Sequence, residues 1–192
     1  EPGFQTKLTL QQQEKSKIAM EAARHVVPGS AIGITAGTTT FQLVQHLTGI
    51  NNLTVVTNSI PIASESSAMN AGSQIVLTGG TPTLSHAIVG PLADRSLAGL
   101  HVDTLFMGVH GMGETTGFTT PNLAEAQTNQ AFIRSAGQII VLADSTKWGV
   151  TGLGTIAPLA DADVLITDDR LPSQAQAVLG REISEVKIVE SR

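Results

Sequence analysis

Four stretches of the sequence carry residue types that bind or transform small polar molecules. Gly37-Thr38-Thr39-Thr40 sets one flexible residue and three hydroxyls between two patterned segments. Before it, Ala31 to Thr35 is short and apolar, as a buried strand would be; after it, Phe41, Val44 and Leu47 recur at helical spacing. A helix N-terminus offers unpaired N–H groups and a partial positive charge, and threonine hydroxyls there can donate to phosphate oxygens. The same pattern also fits a simple N-cap, in which one threonine serves only its own helix. Asp144 and Lys147 follow an apolar run. Lys147 can pair with a phosphate or sugar oxygen while Asp144 orients it, or the two can form a surface ion pair. Glu125 stands in a stretch, Asn122 to Asn129, with few other charges. It can accept from sugar hydroxyls, transfer a proton, or sit as a solvated acid at a helix start. His110, flanked by Gly111, directly follows another apolar run.

Composition and spacing argue against several other chemistries. With 0 cysteines there is no disulfide, thiolate metal site or cysteine nucleophile, which fits a cytoplasmic protein. His25, His46, His86, His101 and His110 lack metal-ligand spacing, so no metal is expected. There is no P-loop run and no Gly-x-Ser-x-Gly elbow. Gly108, Gly111 and Gly113 miss the dinucleotide spacing, so no cofactor is expected. A net charge of −5, with 11 Lys and Arg scattered along the chain, argues against these residues gripping nucleic acid by themselves. No signal peptide or long apolar span is present, which argues against a membrane role. Only 14% of residues are charged, a deficit that points to subunit contacts.

The elements that must position these groups follow from the patterning. A length of 192 residues suits one domain. Residues 1–13 have no sustained period and read as a linker or arm. An opening Pro-Gly without Met reads as part of something longer, and 14–192 as the folded domain. Helices are expected from Glu14 to Val26, after Gly37, from Pro61 to about Ala71, over Pro91 to Gly99 and Asn122 to Ala136, and from Pro172. Strands are expected at Ala31–Thr35, Leu53–Thr57, Gln74–Thr78, Asp103–Val109, Gln138–Ala143, Val164–Thr167 and Val186–Val189. This alternation predicts an α/β fold, a mostly parallel sheet with helices on both faces. Thr38–Thr40, Asn58-Ser59, Gly79-Gly80, His110-Gly111 and Asp144–Lys147 then all fall at one strand edge, the usual ligand position of such sheets.

An ordered series of motifs adds a resemblance: Glu14-Lys15-x-x-Ile18-Ala19, Gly37-Thr38-Thr39-Thr40, Leu53 to Ser59, Gly79-Gly80, Gly90, Asp103, Glu125-Ala126, Asp144-Ser145-x-Lys147 and Ile166-Thr167-Asp168. Over about Glu14 to Asp169 the chain resembles the C-terminal effector-binding domain of DeoR-type bacterial transcriptional regulators. The resemblance implies a fold like that of ribose-5-phosphate isomerase and the CoA-transferase-like proteins. It also implies no catalysis, a phosphorylated sugar as effector, and a dimer or tetramer. Operator DNA would be bound through a winged helix-turn-helix domain preceding residues 1–13 and absent here. Carried over, Thr38 to Thr40 contact phosphate, and Asn58 and Ser59, with Gly79 and Gly80, line the pocket; Gly37, His110 and Gly111 join the ligand-binding candidates by their place at the strand ends. Glu125 and Lys147 face the sugar, and Asp144 supports Lys147. Two places depart from the family pattern: an acid usual before Gly-Thr-Thr is Thr35 or Ala36 here, and a frequent lysine after Glu125-Ala126 falls within Thr128-Asn129-Gln130. The alternative is a sugar-phosphate isomerase-like enzyme. Such enzymes resemble the chain around Gly37 to Thr40 and Asp144 to Lys147, but carry paired acids where this chain has Val109-His110-Gly111-Met112.

Overall fold

The computed structural model describes residues 3–65, 69–70 and 72–190. The strands are β1 (Ala31–Ile34), β2 (Thr54–Thr57), β3 (Gln74–Leu77), β4 (Thr81–Pro82), β5 (Ile88–Val89), β6 (Val102–Gly108), β7 (Gly111–Gly113), β8 (Gly117–Thr120), β9 (Ala136–Leu142), β10 (Gly154–Ala157), β11 (Val164–Asp168) and β12 (Glu185–Val189). The α-helices are α1 (Phe4–Thr9), α2 (Gln12–Ala23), α3 (Thr38–Gln45), α4 (Ile60–Ser64), α5 (Pro91–Leu97), α6 (Leu123–Ser135) and α7 (Ser173–Glu182).

Seven strands form one sheet in the order β12-β11-β9-β6-β1-β2-β3, every neighbouring pair parallel. Side chains alternate across its two faces, as the pleat requires. Ile32, Ile34, Val55, Phe106, Ile140 and Ile166 turn to one face, where α2 and α3 bury Ile18, Ala22, Leu43 and Val44. Leu105, Met107, Val141 and Leu165 turn to the other, against Leu97 of α5, Phe132 of α6 and Leu179 of α7. Both faces being covered explains why these strands read as continuous apolar runs. Gly33 lets α6 close on the sheet: a Cβ there would stand 3.0 Å from Leu105 Cδ1 and 3.4 Å from Phe132 Cδ1.

The elements expected from periodicity are present within about three residues where the chain is described, the widest gap being α2, which ends at Ala23 rather than Val26. The helix begun at Pro61 runs as α4 to Ser64, and its expected continuation toward Ala71 falls partly on 66–68 and 71, outside the described residues. The pieces without a legible period are new. Two small antiparallel sheets, β10-β8-β7 and β4-β5, stand off the main one. The segment read as an arm contains α1, whose Phe4 is only 6% exposed.

From β1 the chain proceeds through β2 to β3 toward one edge; from β6 it proceeds through β9 and β11 to β12 toward the other. The loops after β1 and β6 therefore diverge and open a crevice at the strands' carboxyl ends.

Candidate functional site

A cleft fills that crevice. Its floor is the loop after β1 (Ala36, Gly37), the loop after β6 (Gly108 to His110) and Leu142 at the end of β9. It encloses about 80 Å³.

The cleft carries cationic and donor groups. Thr38 and Thr39, the first residues of α3, line it; Gly37 is the N-cap, and no side chain caps the helix. The simple capping role is therefore not filled by a threonine, and Thr40 turns its hydroxyl back to Gly37 O at 3.0 Å. Lys147 reaches the cleft from a 3-10 turn, Ser145–Lys147, that two buried carboxylates hold. Asp144, fully buried, accepts from Thr146 N at 3.1 Å and from the Thr146 hydroxyl. Asp168, equally buried, accepts from Ser145 N at 2.7 Å, and from Arg170 N at 3.1 Å and Nε at 3.2 Å. Burial pushes the Asp168 carboxyl up, but the hydrogen bonds from Ser145 and Arg170 outweigh it and hold the group below its ordinary range. Arg170 also pairs with Glu14 of α2 at 2.8 Å, so one guanidinium ties α2 to the turn's support.

Two further lysines stand near Lys147. Lys7 of α1 lines the cleft, and its carbonyl accepts Lys15 Nζ at 2.6 Å. Lys15 is buried on α2. Chiefly burial, partly offset by Asp144 and reinforced by Lys147 and Lys7, brings its pKa down to about 8. A lysine whose folded pKa lies near 8 rather than 10.5 leaves the unfolded chain holding more protons between those values. Stability is therefore expected to rise with pH from about 8 to about 10.5, and Lys15→Met to flatten that rise. Urea unfolding at pH 7.5, 8.5 and 9.5, probe values about the midpoint, measures it.

The cleft also carries Glu125, the one carboxylate lining it among the described residues. Asn122 caps α6 through Ala124 N at 2.9 Å and Glu125 N at 3.1 Å, which fixes the carboxylate's direction. Three hydroxyls surround it: Thr83 at 2.9 Å and Ser85 on Oε1, and Thr120 at 3.3 Å on Oε2. Asn129, one turn along α6, also lines the cleft. Its neighbours are committed elsewhere, Thr128 to Asp94 at 2.7 Å and Gln130 to Thr155 O at 3.1 Å. Thr35, near the place of the family's acid, accepts from Gly108 N at 3.1 Å and joins β1 to β6.

Of the residues singled out from sequence, the structure brings Gly37, Thr38, Thr39, His110, Glu125 and Lys147 together on the cleft. Thr40 and Asp144 stand behind it. Asn58 braces the wall, accepting from Ala36 N at 2.9 Å and donating to Ile88 O at 3.0 Å. Ser59 caps α4 through Ile62 N at 3.3 Å. Gly79 and Gly80 turn the chain after β3; Gly80 has φ +131°, and a Cβ there would lie 2.5 Å from Val89 O. Gly111 allows a backbone contact, a Cβ there falling 2.0 Å from Val150 O. None of these five is among the cleft's lining residues. Phe4, Lys7, Ser85 and Thr120 are, and sequence reasoning missed them. The hydroxyl-rich run Thr81-Pro82-Thr83-Leu84-Ser85 and the Thr119-Thr120 pair were the signals available.

The family model described as DeoR C terminal sensor domain matches residues 10–169. The chain is 34% identical over 183 residues to the HTH-type transcriptional regulator YgbI of Escherichia coli strain K12, covering 95% of this chain and 71% of that protein. It is 36% identical over 164 residues to the HTH-type transcriptional repressor GlcR of Bacillus subtilis strain 168, covering 85% and 62%. Among solved structures it resembles ribose 5-phosphate isomerase from Plasmodium falciparum, with a TM-score of 0.51, 12% identity, and coverage of 75% of this chain and 55% of that one. It also resembles eIF2B beta from Chaetomium thermophilum, with a TM-score of 0.53, 15% identity, and coverage of 90% and 54%. At such identities the structural likeness establishes the fold, and the chain spans little more than half of those solved chains. The sequence match reaches from α2 to the end of β11, taking in Lys15, the α3 start, Glu125, the Asp144 turn and Asp168; the chain therefore belongs to the DeoR family of transcriptional regulators, and residues 10–169 are its C-terminal sensor domain.

Proposed function

We propose that the cleft binds a phosphorylated sugar and that its occupancy controls DNA binding by the regulator. The carrying observation is the mixed lining of one cleft: the uncapped start of α3 with Lys7 and Lys147 as one set of groups, Glu125 as the other. Phosphate suits the first, through helix N–H groups and charge-assisted bonds. Hydroxyls suit the second, because an ionised carboxylate only accepts. Residues 1–13 join this domain to a DNA-binding domain that holds the operator in the cytoplasm. The regulator works as a dimer or tetramer; the edge strand β3, with Val76 and Leu77 exposed, offers a surface for subunit contact. Regulation follows only from unequal affinity for the DNA-binding and released forms, typically a coupling of about 1–3 kcal/mol.

Thermal unfolding with a panel of sugar phosphates, their unphosphorylated sugars and inorganic phosphate tests this. At 100 times its Kd, a ligand adds about 2.7 kcal/mol of stability, and for a domain this size that raises Tm by about 5–10 °C. Shifts with free sugars and none with phosphorylated ones would overturn the reading.

A further inference from the structure

The hydroxyls of Thr83 and Ser85 reach Glu125 from the turn between β4 and β5, and the same turn touches the N-terminal helix. We propose that Glu125 is a relay: vicinal hydroxyls of a bound polyol phosphate replace those of Thr83 and Ser85, and the freed turn releases α1. This rests on the sugar-phosphate reading above and adds how occupancy leaves the cleft.

The exchange is chemically matched. Each O–H donor on the carboxylate is replaced by another O–H donor, so the protein loses no bond at Glu125. Thr120 stays on Oε2, and both displaced donors share Oε1, so one diol satisfies the vacated oxygen. The turn closes on its own backbone, Thr83 N donating to Ala87 O at 2.8 Å and His86 N to Thr83 O at 3.0 Å, and Ile60 N donates to His86 O at 3.2 Å. Its tip faces solvent, with Leu84 92% exposed, and His86 sits at φ +60°, a left-handed conformation that non-glycine residues adopt uncommonly. His86 in turn lies edge-on to Phe4 at 5.7 Å, and Phe4 lies edge-on to Phe41 of α3 at 5.7 Å. A helix of six residues does not hold itself in water, so α1 depends on that aromatic seat and on the Lys15 bond to Lys7 O. The cleft's cationic lining and its carboxylate therefore both connect to one short helix, through Lys7 and through Phe4. That helix directly precedes α2 and the matched sensor domain, and the proposed DNA-binding domain would join the chain through it.

Fluorine NMR of the chain labelled with fluorophenylalanine reads this directly, since it holds 5 phenylalanines. Phe4→Leu and Phe41→Leu assign the two seat resonances, and the buried Phe106, Phe118 and Phe132 report on the fold. In the first arm, the Thr83→Val/Ser85→Ala variant is measured without ligand. Its Phe4 resonance is expected to shift by more than its line width while the three core resonances stay. An unmoved Phe4 resonance would overturn the linkage whatever the cleft binds. The Thr83→Ser/Ser85→Thr variant keeps both hydroxyls and is expected to leave Phe4 in place; a shift there would equally overturn it. In the second arm, D-glucitol 6-phosphate, D-ribose 5-phosphate and inorganic phosphate are titrated separately. A polyol phosphate is expected to move the Phe4 signal where inorganic phosphate does not. Binding seen by calorimetry with Phe4 unmoved would overturn the relay and leave the phosphate reading standing. Binding of none would overturn that reading and the relay with it, even if the first arm shows the turn and α1 to be linked.

Discussion

Asp168→Ala is expected to lower the unfolding free energy by about 2–4 kcal/mol at pH 7. Removing one member of a buried charged pair typically costs about 3–5 kcal/mol. Here Arg170 has a side chain 46% exposed and returns partly to water, which trims the loss. What cannot be recovered is the Ser145 N–H, bonded to Asp168 at 2.7 Å and left without an acceptor. Asp168→Asn keeps an acceptor of the same shape and is expected to lose less. The sign with pH is fixed by a carboxyl held below its ordinary 3.8. Such a group stabilises above the unfolded value and loses that contribution as pH falls through the folded one. The difference between wild type and Asp168→Ala is therefore expected to be full at pH 7 and to shrink below about pH 4. Urea unfolding of both proteins across that range checks it, and a difference that persists unchanged at low pH would refute the assignment. The same variant also loosens the turn that carries Lys147, so anion affinity is expected to fall with stability.

This case shows what the sequence made legible. Glu14-Lys15, Asp144-Ser145-x-Lys147 and Ile166-Thr167-Asp168 are far apart in the chain, and the structure joins them through Arg170 and Asp168 into one support. The sheet was legible because its strands are buried on both faces and its helices carry an apolar stripe. The floor of the cleft followed, since parallel strands deliver their following loops to one edge. The roof did not. α1 has six residues with one buried side chain, and β4, β5 and β7 are two or three residues long, too short for any period to register. Thr83, Ser85 and Lys7 reach the site by tertiary contacts, so the hydroxyl-rich run around Thr83 could hint at polar contacts but not at their partner. Asn58 and Ser59 illustrate the converse. They sit at the correct strand edge, but their side chains are spent on Ala36, Ile88 and Ile62.

The fold is shared with ribose 5-phosphate isomerase, yet this chain is a regulator's sensor domain and not an enzyme. The difference is readable at one loop. Moving a proton between sugar carbons needs a base and an acid aimed at the substrate. After β6 this chain supplies Val109 and His110 to the cleft, and its carboxylate, Glu125, already accepts three hydroxyls. A carboxylate so surrounded is an acceptor already aimed at hydroxyl donors, which suits it to recognition.

Lys147→Ala separates that binding role from a solvated surface cation. If Lys147 makes a charge-assisted bond to phosphate, its loss is expected to cost about 1.5–3 kcal/mol of affinity, roughly 10–150-fold in Kd. A surface lysine would change Kd by far less, and an exposed ion pair is typically worth about 0–1 kcal/mol. Lys147 is half-buried at the end of its turn, and the turn is held through Asp144 and Asp168, not through the lysine's side chain. Stability of the unliganded variant is therefore expected to stay near wild type, which distinguishes it from Asp168→Ala. Specificity gives a second, independent readout: binding of a sugar phosphate is expected to weaken, while any binding of the matching free sugar, which depends on Glu125, is not. Raising salt is expected to narrow the gap between wild type and variant, since the lost contact is ionic. Calorimetric titration of both proteins with D-ribose 5-phosphate and D-ribose, at low and high salt, measures all of this. An unchanged Kd for the phosphorylated sugar would place the anion elsewhere in the cleft and remove Lys147 from the site.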